Sequence, residues 1–190
     1  MNPRRIGVLY GNLPPVGHVL RHGLSDRWLR VHSLPEAKRY AETEAEYAEL
    51  LRRHDEVARE ILGHDEPALL YLHHWGTAAD LAVAYSRLDW ATALDWHETM
   101  RTVCTSPDLL LPEGLCIAGF SIRWSPHAWD AMLRDVADDR VRSVVLVHPK
   151  TGEAYAPYDG GADLFLADSG RVAALAVRWS EWLSERPDGL

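Results

Sequence analysis

The spacing of apolar positions changes period several times along this chain, and each change marks an element. Between residues 44 and 62 the inward-facing positions Tyr47, Leu50, Leu51, His54, Ala58, Ile61 and Leu62 recur three and four residues apart. That spacing gathers them on one face of an α-helix. Thr43 and Glu46 form a capping box in front of it, and Gly63 stands where a helix stop belongs. A second helix is expected after Ser125 as cap and Pro126 in the first turn, with Trp129, Met132, Leu133 and Val136 turned inward. A third runs over roughly 169–185, burying Val172, Leu175, Ala176, Trp179, Trp182 and Leu183, and Pro187 ends it. A weaker pattern over 77–87 opens on another capping box, Thr77 with Asp80.

Short apolar runs bounded by turn residues lie between these helices. Strands are expected over 28–34, 69–75, 117–124 and 143–148. A hairpin is expected from 154–158 and 163–166, joined by Asp159-Gly160-Gly161. Residues 88–103 alternate weakly through Trp90, Leu94, Trp96 and Met100 and fit either a strand or a helix. Strands interleaved with helices predict an α+β fold: one domain over residues 1–190, with a mixed sheet packed by about four helices.

Composition narrows the class. The 190 residues suffice for one domain with a real core, and neither a repeat nor a domain linker interrupts them. No apolar run reaches 18 residues, so no membrane span is expected. The opening Met1-Asn2-Pro3-Arg4-Arg5-Ile6-Gly7 lacks the apolar stretch and small-residue site of an export signal. Cys104 and Cys116 are expected to be buried thiols, consistent with a reducing cytoplasm. A net charge of −8 argues against broad nucleic-acid binding.

Charge is unevenly spread. Residues 1–40 hold seven of the 20 Lys and Arg against only Asp26 and Glu36, a formal +5, which leaves −13 on residues 41–190. The positive stretch concentrates in Arg30-Val31-His32-Ser33-Leu34-Pro35-Glu36-Ala37-Lys38-Arg39-Tyr40. In a strand, Trp28, Arg30 and His32 share one face while Leu29 and Val31 face the core. Lys38, Arg39 and Tyr40 follow on the loop entering the long helix. Arginine forks match carboxylate and phosphate oxygens, so this is a candidate anion cradle. The alternative is structural: the arginines pair with nearby acids such as Glu44 and Glu46 and lock the loop.

A second candidate is Pro157-Tyr158-Asp159-Gly160-Gly161-Ala162-Asp163. Its carboxylates could accept protons, hold a cation, or pair with the arginines above. The competing interpretation is a plain hairpin turn in which Asp159 caps its own backbone. Histidines form the third candidate. His18 and His22 would align on a short helix over 16–21 between Pro15 and Gly23, with His97 as a conceivable further ligand. His73 and His74 point to opposite faces of a strand and cannot easily share one ion. No metal and no cofactor is therefore expected. There is no Gly-x-Ser-x-Gly elbow around Ser121 and no phosphate loop around Gly160-Gly161, so the catalytic residues are unknown.

The segment Arg30-x-His32-Ser33-Leu34-Pro35-x-x-Lys38-Arg39-Tyr40, followed by Glu44 and Glu46-Tyr47, resembles a bacterial domain-of-unknown-function family. Its members pair such a segment with a Tyr-Asp-rich turn near the C-terminus, here Pro157 to Asp163. That family often has Asp-Arg-Gly after the Tyr-Asp, where this chain has Gly160-Gly161. The resemblance covers the first third and last quarter, leaves 64–142 unmatched, and implies bacterial origin and a shared site.

Two functions follow as expectations. The first is a cytoplasmic binding or accessory protein, of immunity type, whose basic patch recognises a protein partner or a small anionic ligand. Arg30, His32, Lys38, Arg39, Tyr40, Tyr158, Asp159 and Asp163 would form its contact residues. Eight tryptophans could anchor such an interface or a homodimer seam. The second is a small enzyme with His32 as acid or base, Arg30, Lys38 and Arg39 holding an anionic substrate, and Asp159 or Asp163 orienting the histidine. A concave pocket joining 30–40 to 155–163 with few exposed tryptophans favours the second, and a flat apolar patch rimmed by charge favours the first.

Overall fold

The structure, a computed structural model, describes residues 13–96, 100–104 and 115–186. In chain order the elements are α1 (Gly17–Gly23), β1 (Trp28–His32), α2 (Glu44–Leu62), β2 (Glu66–Trp75), α3 (Ala78–Tyr85), β3 (Met100–Cys104) and β4 (Leu115–Trp124). They are followed by α4 (Asp130–Ala137), β5 (Val144–Val147), β6 (Ala154–Tyr158), β7 (Gly161–Phe165) and α5 (Ser169–Arg178). The fold is α+β, as the patterning predicts.

All seven strands join one sheet in the order β1-β7-β6-β5-β2-β4-β3. The expected mixed sheet is instead antiparallel at every described pairing. The reason lies in the insertion order. β1 and β2 run in the same direction, joined through α2, but β7, β6 and β5 slot between them, so no two parallel strands become neighbours.

Strand alternation then sorts the core into two layers. On one face Leu29, Val31, Ala68, Leu70, Leu72, Ala118, Phe120 and Leu164 meet the inward stripe of α2 and the apolar residues of α3, α4 and α5. On the other face Leu69, Tyr71, Ile117, Val145, Val147, Ala154, Ala156 and Phe165 meet, among the described residues, α1 and its flanks, through Val16, Val19, Leu20 and Leu24. The candidate chemistry lies on this second face, beside α1.

Both predicted capping boxes are present. The Thr43 hydroxyl accepts from the Glu46 amide while the Glu46 carboxylate accepts from Thr43 N–H, and Thr77 and Asp80 do the same at α3. Two helices differ from expectation. α4 starts at Asp130, after a turn over 125–129 in which His127 has φ +64°, and its N-cap Trp129 makes no side-chain cap. α5 ends at Arg178 and continues only as a 3-10 turn over Ser180–Trp182. The ambiguous 88–103 stretch divides into a 3-10 turn over Asp89–Ala93 and strand β3, with 97–99 outside the described residues. α1 corresponds to the short helix considered between Pro15 and Gly23.

Candidate functional site

The burial of β1 alternates, with Leu29 and Val31 inside and Trp28, Arg30 and His32 half-buried on the other face. Register sets Arg30 directly opposite Asp163 of β7. Arg30 Nε donates to Asp163 Oδ1 at 2.8 Å and Nη2 donates to Oδ2 at 3.2 Å, a bidentate pair. Trp28 Nε1 donates to the same Oδ1 at 2.9 Å. The Arg30 guanidinium lies 4.8 Å from the centroid of the Tyr158 ring and 5.4 Å from that of Trp28. Burial pushes the Tyr158 hydroxyl up to about 12, so it stays a neutral donor.

A cavity of about 220 Å³ opens beside this cluster. Its polar wall includes His18, Arg30, His73, Arg142, Ser143, Tyr158 and Asp163. His73 lies on β2, in the middle of the sheet, and is only 8% exposed. Among the described residues, its buried Nδ1 has no hydrogen-bond partner. Burial holds its pKa down at about 3, with the charges of His18 and His74 acting in the same direction, so the ring is neutral. His18 is also depressed, chiefly by burial.

The rest of the basic segment is occupied differently. Arg39 binds Asp159, with Nη2 2.6 Å from Oδ2, and the Tyr40 hydroxyl donates to the same oxygen at 3.1 Å. These acids and bases come from the two segments picked out of the sequence, so the loop and the hairpin do meet. Asp159 thus takes up Arg39 and Tyr40 rather than capping its own turn. Arg39, Tyr158, Asp159 and Arg142 line a second cavity of about 330 Å³, which shares Tyr158 and Arg142 with the first. Lys38 Nζ is held by Glu42 at 2.9 Å and Glu46 at 2.6 Å.

His32 lines neither of these cavities. It faces a third, of about 510 Å³, whose far wall is the chain around 181–186. Its Nε2 is buried without a hydrogen-bond partner, and burial lowers its pKa. Neither Asp159 nor Asp163 orients it, since those carboxylates are taken by Arg39, Tyr40, Arg30 and Trp28. His18 and His22 share α1 as their spacing predicts, but only His18 borders a cavity, and His97 lies outside the described residues. The side chain of Cys104 also lies outside them.

Sequence patterning did not assign His73, Arg142 or Ser143 to the site. It missed a buried chain as well. Ser33 Oγ lies 2.8 Å from His54 Nε2, and the Tyr155 hydroxyl lies 2.5 Å from His54 Nδ1, all three residues being buried. Burial alone lowers His54 to about 4. A Ser–His pair with no access to solvent is a structural clamp between β1, α2 and β6. The available signal was His54 itself, a polar residue inside an apolar helical stripe.

Together these features define an α+β protein whose polar cavity sits on the α1-bearing face of an antiparallel sheet. The chain belongs to the family described as Domain of unknown function (DUF3885), which matches residues 16–187. That span includes both quoted segments and the middle of the chain. No curated protein and no solved structure matches.

Proposed function

We propose that this is a cytoplasmic bacterial binding protein whose occupant is a small anionic ligand, seated in the cavity between Arg30 and His73. The observation that carries this reading is the buried, unpartnered Nδ1 of His73 in the cavity wall. An unsatisfied buried polar atom costs about 1–3 kcal/mol, and a ligand that bonds to it removes that cost. Neutral His73 can present its single N–H to an anion oxygen. Arg30 and Arg142 are ion-paired, with Asp163 and with Asp139, but both bring a guanidinium to the wall that an anionic group can share. The volume suits a molecule smaller than a typical drug-sized ligand.

The docking alternative has less behind it. Among the described residues, Trp75 is the one exposed tryptophan, and the other exposed large hydrophobics, Tyr40, Val83 and Val177, lie on separate elements. The enzyme alternative draws support from the concave cavity, but the placement of His32 does not favour it as the acid or base. Among the described residues, no helix is long and apolar enough to cross a membrane.

The test uses the Trp28 indole N–H, which bonds to Asp163 at the cavity edge. Its NMR signal, identified with Trp28→Phe, is followed while inorganic phosphate, sulfate and malonate are titrated in. Native mass spectrometry of the untagged protein from its own host looks for a bound small molecule. A saturable shift with one anion, absent in His73→Leu, supports the reading. An unmoved signal with every anion, together with a bare mass, overturns it.

A further inference from the structure

On the opposite side of the sheet, three side chains converge that neither the cavity nor the core explains. Asp55 lies midway along α2, His127 in the turn before α4, and Asp130 at the first position of α4. One ligand atom from each lies within 4.8 Å of the other two. His127 Nδ1 is 2.9 Å from Asp55 Oδ2 and 3.4 Å from an oxygen of Asp130. We infer that Asp55, His127 and Asp130 form a binding site for a divalent transition-metal ion, zinc or manganese.

Burial is the first support. Asp55 is 4% exposed, and its Oδ2 makes no geometrically acceptable hydrogen bond although it faces the His127 ring. Its Oδ1 has only a long contact from the His127 amide, at 3.4 Å. Asp130 Oδ1 is likewise buried with no hydrogen-bond partner. Buried carboxylate oxygens are ordinarily satisfied several times over, because an uncompensated buried charge is costly. Asp55 Oδ2 faces His127 Nδ1, and Asp130 brings its other oxygen, Oδ2, toward the same nitrogen, so the three groups converge where a cation would satisfy Asp55.

Geometry is the second. A metal held at 2.0–2.2 Å by oxygen and nitrogen ligands in tetrahedral array sets neighbouring ligand atoms roughly 3.3–3.6 Å apart. The distances of 2.9 and 3.4 Å therefore need only a small opening of the triad. Two carboxylates with one imidazole suit zinc or manganese better than the all-oxygen shells of calcium or magnesium. The left-handed φ of +64° at His127 turns its backbone so that the ring folds back over Asp55. The His127 side chain is 75% exposed, which leaves an entry path and open coordination positions on the solvent side.

An ion triad with protonated His127 between two carboxylates is the competing account, and it binds no metal. Chelator-stripped full-length protein is titrated calorimetrically with Zn²⁺ and Mn²⁺, and Co²⁺ is used as a spectroscopic probe. The expected result is one equivalent bound, an upward shift in melting temperature, and a d–d absorption band with Co²⁺. Asp55→Asn keeps the side-chain shape and is expected to weaken binding at least tenfold. Asp130→Asn, on a half-exposed residue, gives the same answer should Asp55→Asn fold poorly. Either of two results overturns the site: no stoichiometric binding of Zn²⁺ or Mn²⁺, or metal binding that survives in both folded variants and so belongs to other surface histidines.

Discussion

Arg30 and Asp163 are direct register partners across the β1–β7 ladder and are joined by two hydrogen bonds of 2.8 and 3.2 Å. Their side chains are 13% and 9% exposed, so the pair is largely withdrawn from water. A pair so placed does two things. It fastens the edge strand β1 to the hairpin, and it holds the Arg30 guanidinium between Trp28 and Tyr158 at the mouth of the cavity.

Breaking one side of this pair leaves the other charge stranded. Arg30→Gln and Asp163→Asn are each expected to cost about 3 kcal/mol in urea denaturation. The double variant is expected to cost less than the sum of the two. Strictly additive losses would show that the residues do not interact.

Gly161 meets a different limit. A Cβ at this position would lie 2.0 Å from the Val31 carbonyl oxygen, which is backbone and cannot swing aside. Gly161→Ala is therefore expected to destabilise by about 1–3 kcal/mol and to loosen β1 first. Hydrogen exchange at the β1 amides would report that loosening. Unchanged protection would contradict the close approach.

The neutral, buried His73 makes stability depend on pH. Its folded pKa, about 3, lies below the ordinary histidine value of 6.5. The unfolded chain therefore takes up a proton between these values that the folded protein refuses. His73's contribution is complete above pH 6.5 and is lost as pH falls toward 3, at up to about 1.4 kcal/mol per pH unit. The charged or titratable groups around it are His18 on α1, neighbouring His74, and Arg30, Arg142, Tyr158 and Asp163 across the cavity. His73→Leu is expected to flatten this slope in melting curves and to leave the protein as stable or more stable at pH 7, since it removes an unsatisfied atom. A lower melting temperature at pH 7 would mean that the ring is bonded after all.

Ser33 and Tyr155 satisfy the two nitrogens of His54 from opposite sides. Ser33→Ala or Tyr155→Phe strands one ring nitrogen in the core, at a cost of about 1–3 kcal/mol. Anion titrations of either variant, read at Trp28, are expected to match wild type. An altered anion response would tie the clamp to the cavity.

Local periodicity settled the elements that local forces determine. α2 follows from its stripe and from the reciprocal bonds of Thr43 and Glu46, all within a few residues. The facing of Trp28, Arg30 and His32 follows from the two-residue repeat of a strand, which needs no knowledge of its neighbours. Even the meeting of Arg39 with Asp159 was open to charge matching between two singular segments. Tertiary structure decided the rest. The antiparallel character of the sheet depends on β5, β6 and β7 inserting between β1 and β2, an ordering that no local period encodes. His73 and Arg142 reach the same cavity as Arg30 only because that ordering sets their strands and loop side by side. The same holds for Asp55, which meets His127 and Asp130 only because α2 packs against the turn that opens α4. Sequence carries the period and caps of each element, whereas a site assembled from distant elements exists only once long-range packing has chosen which of them are neighbours.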